Sequence, residues 1–486
     1  MKLLNYTLAC IGIMITMSCS KDLGNYEYQD INELTIKEVN TEYTLRTGID
    51  TLRIKPNIAA SMDEADTTRY QHRWILKTGV LTADTIGRYR NFEFPIRLNP
   101  GTHDLYYRVL DKKTDVVSIV NIKLLISTPY SRGLLIMGEN QDGSAEAEML
   151  SMLADTVHVK GILSNSGLPK LREPLSLVHT GGPDKETKLW AFTKSGSYFL
   201  DRATMTGTTA NTFSRSTFLS ETVDPETLHP VALAPQIRTV AGLIGGNLYR
   251  AIITKAGDVF ASMLAIVGGD FYNNPVNRVA SNPQTRIKAA PYILYTINAM
   301  NTFMWYDLDN QRPAGRTFVY AENTRNTDGG STNGNSFAIV KDPNNTHHIY
   351  KFYANGTNPA KRAAYTVKSI ATDFEKAKFY AFSSNRTVVF YAVDNRLYAY
   401  DYNPNFEKVY QFGEIGTDVI SMIKFDTQMD HVTNSLYIAT YNNDSKGTLR
   451  RYRVGTNPNV VELLLQPNST WTDMVKIKDI NWRAVN

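Results

Sequence analysis

Hydrophobic and polar residues alternate with a period of two over long parts of the chain. The clearest stretch is LYYRVL, Leu105 to Leu110, in which Leu105, Tyr107 and Val109 fall on one face of an extended strand. A turn at Asp111-Lys112-Lys113 and a second strand from Val116 to Ile126 complete an antiparallel hairpin. Upstream, Trp74 in YQHRWIL is predicted as a core aromatic of the same β-sandwich.

Beyond residue 129 the pattern repeats as short units, each an apolar strand, a polar turn and a second strand rich in aromatic residues. Seven units begin at Gly133, Leu189, Leu248, Pro291, Phe337, Val388 and Leu436. Their starts lie roughly 43 to 60 residues apart, the period of four-stranded propeller blades. The last strand-like stretch, Thr472 to Trp482, has no partner of its own, and we expect it to complete the first blade and close the ring.

The predicted fold class is therefore all-β, with an N-terminal Ig-like β-sandwich followed by a β-propeller of seven blades. The domain boundaries that we expect are residues 1–18 for a signal peptide, 19–30 for a lipidated tether, 31–128 for the sandwich and 129–486 for the propeller.

The first residues have the pattern of a bacterial export signal. Met1-Lys2 is a short cationic start, and the mostly apolar run from Leu3 to Met17 is shorter than the ~20 residues that a membrane-spanning helix needs. Ser18-Cys19 resembles a lipobox, whose cysteine becomes diacylated, although Thr16 stands where an aliphatic residue is usual. Cys19 is thus the predicted lipidation site, and an ordinary secretory signal with an incidental cysteine is the alternative.

Cleavage before Cys19 would also remove Cys10, the other cysteine of the chain. The mature protein would then have no thiol free for a disulfide, for thiolate catalysis or for metal ligation.

Composition agrees with a globular β-protein. The chain is 42% hydrophobic and 20% charged, with a mean hydropathy of −0.30, and its 28 Tyr favour strands. The net charge is only +5, and the basic clusters alternate along strands instead of forming a block, so we expect no nucleic-acid partner.

No motif points to a cofactor or to a catalytic residue. The eight histidines are scattered, and the adjacent His347 and His348 point to opposite faces of a strand, so no metal site is expected. No G-x-S-x-G elbow or phosphate-binding P-loop occurs. A pair of carboxylates from different blades leaves no signature in the spacing, so hydrolysis at such a pair stays open.

Two long insertions are the candidate recognition loops, Gly268 to Arg278 and Ala321 to Ser336. The candidate ligand-binding residues in the first are Asp270, Phe271, Tyr272, Asn273 and Asn274. Aromatic rings stack on sugar or peptide faces, and amides bond to hydroxyl or backbone groups. The alternative is that these residues are structural and lie in the turns and the core of a propeller.

Several sequence segments together resemble the PKD-like lipoprotein family of Bacteroidota. They are CSKDLGNYEY from Cys19, DINELTI from Asp30, the NPGT turn before the strand that ends in Val109-Leu110-Asp111, and the Tyr-rich repeats. The resemblance implies a PKD-like sandwich and a lipid anchor in the outer membrane, with the protein facing the cell exterior. It also implies a transporter and a surface lipoprotein of a starch-utilisation-like uptake system as partners. No functional residue can be carried over from this family.

The expected function is that of a non-catalytic surface lipoprotein that binds a nutrient polymer, glycan or peptide, or a partner protein, for such an uptake system. Two alternatives stay open. One is a surface glycoside hydrolase or lyase that uses carboxylates in the propeller funnel, and the other is a structural propeller that only docks proteins.

Overall fold

The computed structural model describes most of the chain after residue 30. The described residues are 31–62, 66, 68–153, 155–179, 188–219, 223–224, 228–234, 237–238, 244–245, 249–263, 271–279, 281–286, 316–330, 335–353, 360–413, 415–427 and 434–484. They form two compact units: residues up to Leu45 with Asp50–Ile126, and Arg46–Ile49 with the chain from Ser127 onward.

The first unit contains nine strands. They are β1 (Leu34–Lys37), β2 (Glu42–Arg46), β3 (Thr51–Ile54), β4 (Asn57–Ala60), β5 (Tyr70–Lys77), β6 (Ala83–Gly87), β7 (Phe92–Pro95), β8 (Gly101–Asp111) and β9 (Val117–Ser127). A five-stranded sheet has the order β2-β9-β8-β5-β6, and the pairs β1-β4 and β3-β7 pack with it around one core.

The sequence prediction for this unit is confirmed at its centre. The predicted hairpin is β8 and β9, which pair antiparallel over their length. Trp74 is fully buried, and its ring centroid lies 4.1 Å from that of Tyr107 and 4.4 Å from that of Phe92. The alternating pattern therefore predicted correctly which face of β8 is buried in the core.

A buried ion pair closes the end of this hairpin. Asp111, at the end of β8, accepts hydrogen bonds from Arg69 at 2.7 and 2.5 Å and from the amide of Asn32 at 3.0 Å. Both side chains of the pair are almost fully buried. The guanidinium of Arg69 holds the pKa of Asp111 well below its usual range, despite the opposing effect of burial.

The second unit contains the remaining strands. They are β10 (Arg132–Glu139), β11 (Ala145–Met152), β12 (Thr156–Val159), β13 (Pro174–His179), β14 (Leu189–Thr193), β15 (Tyr198–Leu200), β16 (Pro230–Ala234), β17 (Ile237–Arg238), β18 (Ile244–Gly245), β19 (Tyr249–Thr254), β20 (Val259–Met263), β21 (Arg278–Val279), β22 (Asn282–Arg286), β23 (Thr317–Asn323), β24 (Asn335–Lys341), β25 (His347–Tyr353), β26 (Ala360–Thr366), β27 (Phe379–Phe382), β28 (Val388–Val393), β29 (Arg396–Asp401), β30 (Lys408–Phe412), β31 (Val419–Phe425), β32 (Ser435–Asn442), β33 (Lys446–Val454), β34 (Leu463–Met474) and β35 (Lys476–Ala484). Short 3-10 helices cover Phe213–Ser216, Asp328–Gly330 and Phe374–Lys376.

These strands form a series of small antiparallel sheets. Four sheets have four strands, in the orders β35-β10-β11-β12, β23-β24-β25-β26, β27-β28-β29-β30 and β31-β32-β33-β34. Two have three strands, β13-β14-β15 and β16-β19-β20, and β17-β18 and β21-β22 are short pairs. The described part of the chain is thus all-β apart from the short 3-10 helices.

Six of the seven predicted repeat units are the second and third strands of these sheets. They are the hairpins β10-β11, β14-β15, β19-β20, β24-β25, β28-β29 and β32-β33. The seventh unit, from Pro291, lies outside the described residues. In each of these six sheets a further strand precedes the hairpin in the strand order. The sequence predicted only the C-terminal strand in this position and not β13, β16, β23, β27 or β31.

The C-terminal strand supplies this first position in the sheet of β10. β35 pairs antiparallel with β10 from Arg132↔Ala484 to Glu139↔Lys476, with an irregularity between Met137 and Gly138. The predicted C-terminal strand began too early, because Thr472–Met474 belong to β34 and pair with β33. A new strand starts at Lys476.

Candidate functional site

A cavity of about 370 Å³ lies in the second unit, where the first strands of six sheets meet. These strands are β13, β16, β23, β27, β31 and β35, and each contributes residues to the wall. Neighbouring first strands contact one another in the spatial order β16, β13, β35, β31, β27, β23. The volume falls within the ~300–1,000 Å³ typical of small-molecule sites.

A hydrogen-bonded ion pair fixes one side of the cavity. The ammonium group of Lys424 lies 2.8 Å from Oδ1 of Asp479, 2.7 Å from the carbonyl oxygen of Ile480 and 3.2 Å from Oδ1 of Asn481. The three donors of this ammonium group thus have three acceptors within the protein.

The second carboxylate oxygen of Asp479 is also satisfied. It accepts hydrogen bonds from the hydroxyl of Ser176 at 2.5 Å and from the amide of Asn481 at 2.7 Å. The Asn481 amide also donates to the Leu177 carbonyl at 3.1 Å. This network joins β13, β31 and β35, so its members have little freedom to turn toward a ligand.

Glu322 provides a second carboxyl group in the wall of the cavity. It comes from β23, and its Oε2 accepts a hydrogen bond from the Tyr320 hydroxyl at 2.7 Å. Surrounding protein raises the pKa of Glu322 to about 7, because burial disfavours the charged form. Hydrogen bonds from Tyr320 and from the backbone of Phe382, and the positive charge of Lys424, act in the opposite direction.

Aromatic rings stand beside this carboxyl group. Tyr320, Phe379 and Tyr380 line the cavity, and the ring centroids of Tyr320 and Tyr380 lie 5.5 Å apart. Two further lysines line it, and each lies near an acid: Lys378 is 3.0 Å from Asp394 and Lys478 is 3.6 Å from Glu139. The wall thus combines aromatic surface, one fixed ion pair and one carboxyl group that titrates near neutral pH.

The chemistry available here includes both binding and proton transfer. Aromatic faces and fixed polar groups can orient a polar ligand, and a carboxyl group with a pKa near 7 can give or take a proton at physiological pH. Among the described residues, His, Cys, Asp and Glu side chains form no group of three that could hold a metal ion.

The residues predicted for ligand binding lie elsewhere. Phe271 is half-buried, with its ring 4.6 Å from the ammonium group of Lys188, and Asn273 and Asn274 are exposed. Tyr272 is 1% exposed, and its ring packs 5.4 Å from that of Phe213. Its aromatic face is therefore part of the core. Asp270 and Cys19 lie outside the described residues.

A second cavity, of about 400 Å³, has charged groups in its wall, and most of these groups pair with an oppositely charged or hydrogen-bonding side chain. Lys160 lies 2.5 Å from Asp473, and Glu148 lies 3.0 Å from the imidazole of His158. The first pair connects the end of β12 with β34, and the second connects β11 with β12. These charged groups therefore hold neighbouring strands together.

The predicted recognition insertion Ala321 to Ser336 contributes Glu322 and Asn323 to the cavity wall, whereas the other wall residues were not predicted as a site. Glu322, Lys424 and Asp479 come from three sheets, and the first strands that carry them are not joined to the following strand by a recognisable tight turn. Only the fold brings them together. No helix in the described parts of the chain is long and apolar enough to cross a bilayer.

The chain resembles several solved structures from Bacteroides at low identity. A quinonprotein alcohol dehydrogenase-like protein of Bacteroides thetaiotaomicron is 10% identical, with a TM-score of 0.33, and the match covers 92% of this chain and 97% of that one. A candidate 6-phosphogluconolactonase of Bacteroides uniformis is 8% identical, with a TM-score of 0.36, and the match covers 85% and 99% of the two chains. No curated protein matches the chain. Among protein families, residues 19–166 match the model of the PKD-like family.

Proposed function

We propose that this protein is a lipid-anchored outer-membrane protein that binds a nutrient-derived ligand, glycan or peptide, in the central cavity without cleaving it. The observation that carries the proposal is that six first strands converge on one cavity with fixed polar groups and aromatic walls. Such concave, partly apolar sites with a few oriented polar groups are the usual form of ligand sites.

In this proposal the second unit is a β-propeller of seven blades. The spacing of the repeat units and the pairing of β35 with β10 support it. Cys19 carries the lipid and tethers the protein to the outer membrane, facing outward, beside the transporter and surface lipoprotein of a starch-utilisation-like uptake system. The lipobox-like Ser18-Cys19 supports the anchor.

Two experiments test this proposal. Cys19→Ala should release the protein from membranes, and a mutant that still fractionates with membranes after a high-salt wash would exclude the anchor. Calorimetry with a panel of glycans and peptides on the purified full chain should detect binding with no product formed. Binding to a protein partner alone, with no response to the panel, would favour the docking propeller.

A hydrolase is the second candidate, because one specific observation favours it. Glu322 has a pKa of about 7, suited to a general acid, whereas Asp479 is ion-paired with Lys424 and hydrogen-bonded. Two carboxyl groups in such different environments are a recurring feature of acid–base catalysis. Product release from a glycan, abolished in Glu322→Gln, would establish this function and exclude the non-catalytic one.

A further inference from the structure

The charged groups in the wall of the central cavity differ in whether they have partners. Asp479 is paired with Lys424 and hydrogen-bonded by Ser176 and Asn481. Glu322, in contrast, has the Tyr320 hydroxyl and a backbone hydrogen bond from Phe382, and no Lys or Arg within ion-pair distance among the described residues. A carboxylate can accept about four hydrogen bonds, so Glu322 keeps capacity for a ligand.

The three lysines of the wall each have an acidic partner in the protein. Lys424 uses its three donors on Asp479, Ile480 and Asn481. Lys378 and Lys478 lie at 3.0 and 3.6 Å from Asp394 and Glu139. Each lysine of the wall thus already has an acid of the protein beside it, whereas Glu322 has no cationic partner at ion-pair distance in the described part of the chain.

The surroundings of Glu322 also suit an organic cation. The ring of Tyr320 is hydrogen-bonded to the carboxyl group and lies 5.5 Å from the ring of Tyr380 and 6.5 Å from that of Phe382. Aromatic faces attract ammonium groups through their quadrupoles, and the attraction is stronger where water is excluded. A carboxylate flanked by such rings is therefore a site for an ammonium group.

We propose that the central cavity recognises an amino-sugar glycan, whose ammonium group binds Glu322 beside the ring of Tyr320. This inference rests on the binding function proposed above and specifies its substrate class. The amide group of Asn323 in the same wall suits the hydroxyl groups of a sugar. The contact forms with the carboxylate, so a protonated Glu322 releases its proton when a permanently charged ligand binds.

The first experiment tests whether the positive charge of the ligand determines its binding. Choline and 3,3-dimethyl-1-butanol have the same shape, but only choline is charged, and its charge does not change with pH. Calorimetric titration of the full chain at pH 8 should give at least tenfold tighter binding of choline, and Glu322→Gln should remove this preference. Glu462→Gln is the matched control, because Glu462 is exposed and lies outside the cavity wall. Equal affinity for the two probes, or a preference that survives in Glu322→Gln, would overturn the inference.

The second arm identifies the source of the ammonium group. The β-1,4-linked glucosamine tetramer differs from cellotetraose by an amine in place of one hydroxyl on each ring, and it should bind at least tenfold more tightly at pH 7. Stronger binding of tetralysine than of the glucosamine tetramer would overturn the amino-sugar assignment. Equal binding of the two sugars would overturn the inference and leave the proposed binding function standing, whereas the absence of binding by every probe would count against both.

Discussion

The ammonium group of Lys424 lies 2.8 Å from the carboxylate of Asp479, although 55 residues separate the two in the sequence. The pair joins β31 to the C-terminal strand β35, which is itself paired with β10. One contact therefore links the last sheet of the second unit to the first sheet of that unit, and it does so in the wall of the central cavity.

Removing this cation should change the titration of Glu322. The positive charge of Lys424 lowers the pKa of Glu322, so Lys424→Met should raise that pKa above its value of about 7. The measurement is an NMR titration of the Glu322 carboxyl carbon. Lys446→Met, which removes a cation from the second cavity, should leave the pKa unchanged. An unaltered pKa in Lys424→Met would contradict the electrostatic account of the cavity.

The raised pKa of Glu322 predicts a pH-dependent stability. The value rises from 4.5 to about 7 on folding, so the folded state binds more protons between these pH values and stability falls as pH rises through them. The full effect is at most about 3 kcal/mol, at ~1.4 kcal/mol per pKa unit. The groups that face Glu322 are Tyr320 on its own strand, Lys424 on β31 and Tyr402 after β29.

Glu322→Gln tests this sign directly. Gln does not titrate, so the loss of stability between pH 5 and pH 8 should be smaller than in the wild type by about 2 to 3 kcal/mol. Urea unfolding at the two pH values measures the difference, and Glu462→Gln serves as the control for removal of an exposed carboxylate. The same pH dependence in Glu322→Gln and in the wild type would show that Glu322 ionises normally.

The buried position of Tyr272 changes what its mutation should do. Its ring is in the core with Phe213, so Tyr272→Ala should lower the free energy of unfolding by about 3 to 5 kcal/mol, as for other large aromatic residues truncated in a core. Asn273→Ala, at the exposed neighbour, should stay within about 0.5 kcal/mol of the wild type. Denaturant unfolding of the two variants measures these changes. If Tyr272→Ala left stability unchanged and weakened ligand binding, the insertion Gly268 to Arg278 would be the ligand site after all.

Two Arg–carboxylate pairs in the first unit should differ in their contribution to stability. Asp111→Asn leaves the buried guanidinium of Arg69 without its counter-charge and should cost about 3 to 5 kcal/mol. Glu93→Gln removes the partner of Arg53 in an exposed pair and should cost about 1 kcal/mol or less. Chemical denaturation of both variants checks the order, and equal effects would contradict the role of burial.

The sequence predicted the fold well wherever hydrophobic alternation and a tight turn occur together. The hairpin β8-β9 and six repeat hairpins were located in this way, because a two-residue period and a polar turn are local signals. The segment Val109-Leu110-Asp111 at the end of β8 is one of the sequence features on which the resemblance to the PKD-like family rests. Its physical basis, the buried pair of Asp111 with Arg69, became visible only in the structure.

The candidate site was not predictable from the same signals. It is built from first strands such as β23 and β31, which belong to different sheets. Glu322 falls in the predicted recognition insertion Ala321 to Ser336, but neither Glu322 nor Asp479 has a motif around it. The different environments of the two acids arise from burial and from their partners in the fold. The aromatic and amide residues of a long loop offered a more obvious candidate, but Tyr272 fills the core.

If the cavity formed by the first strands is the ligand site, filling that cavity should abolish ligand binding. Ala232 lies in the wall, so Ala232→Trp should occupy the space that a ligand needs. Calorimetry of the wild type and of Ala232→Trp with the glycan and peptide panel, with product analysis in the same samples, is the measurement. We predict that the wild type binds without forming product and that Ala232→Trp, with its melting temperature retained, does not bind. Undiminished affinity in a folded Ala232→Trp protein would contradict the account.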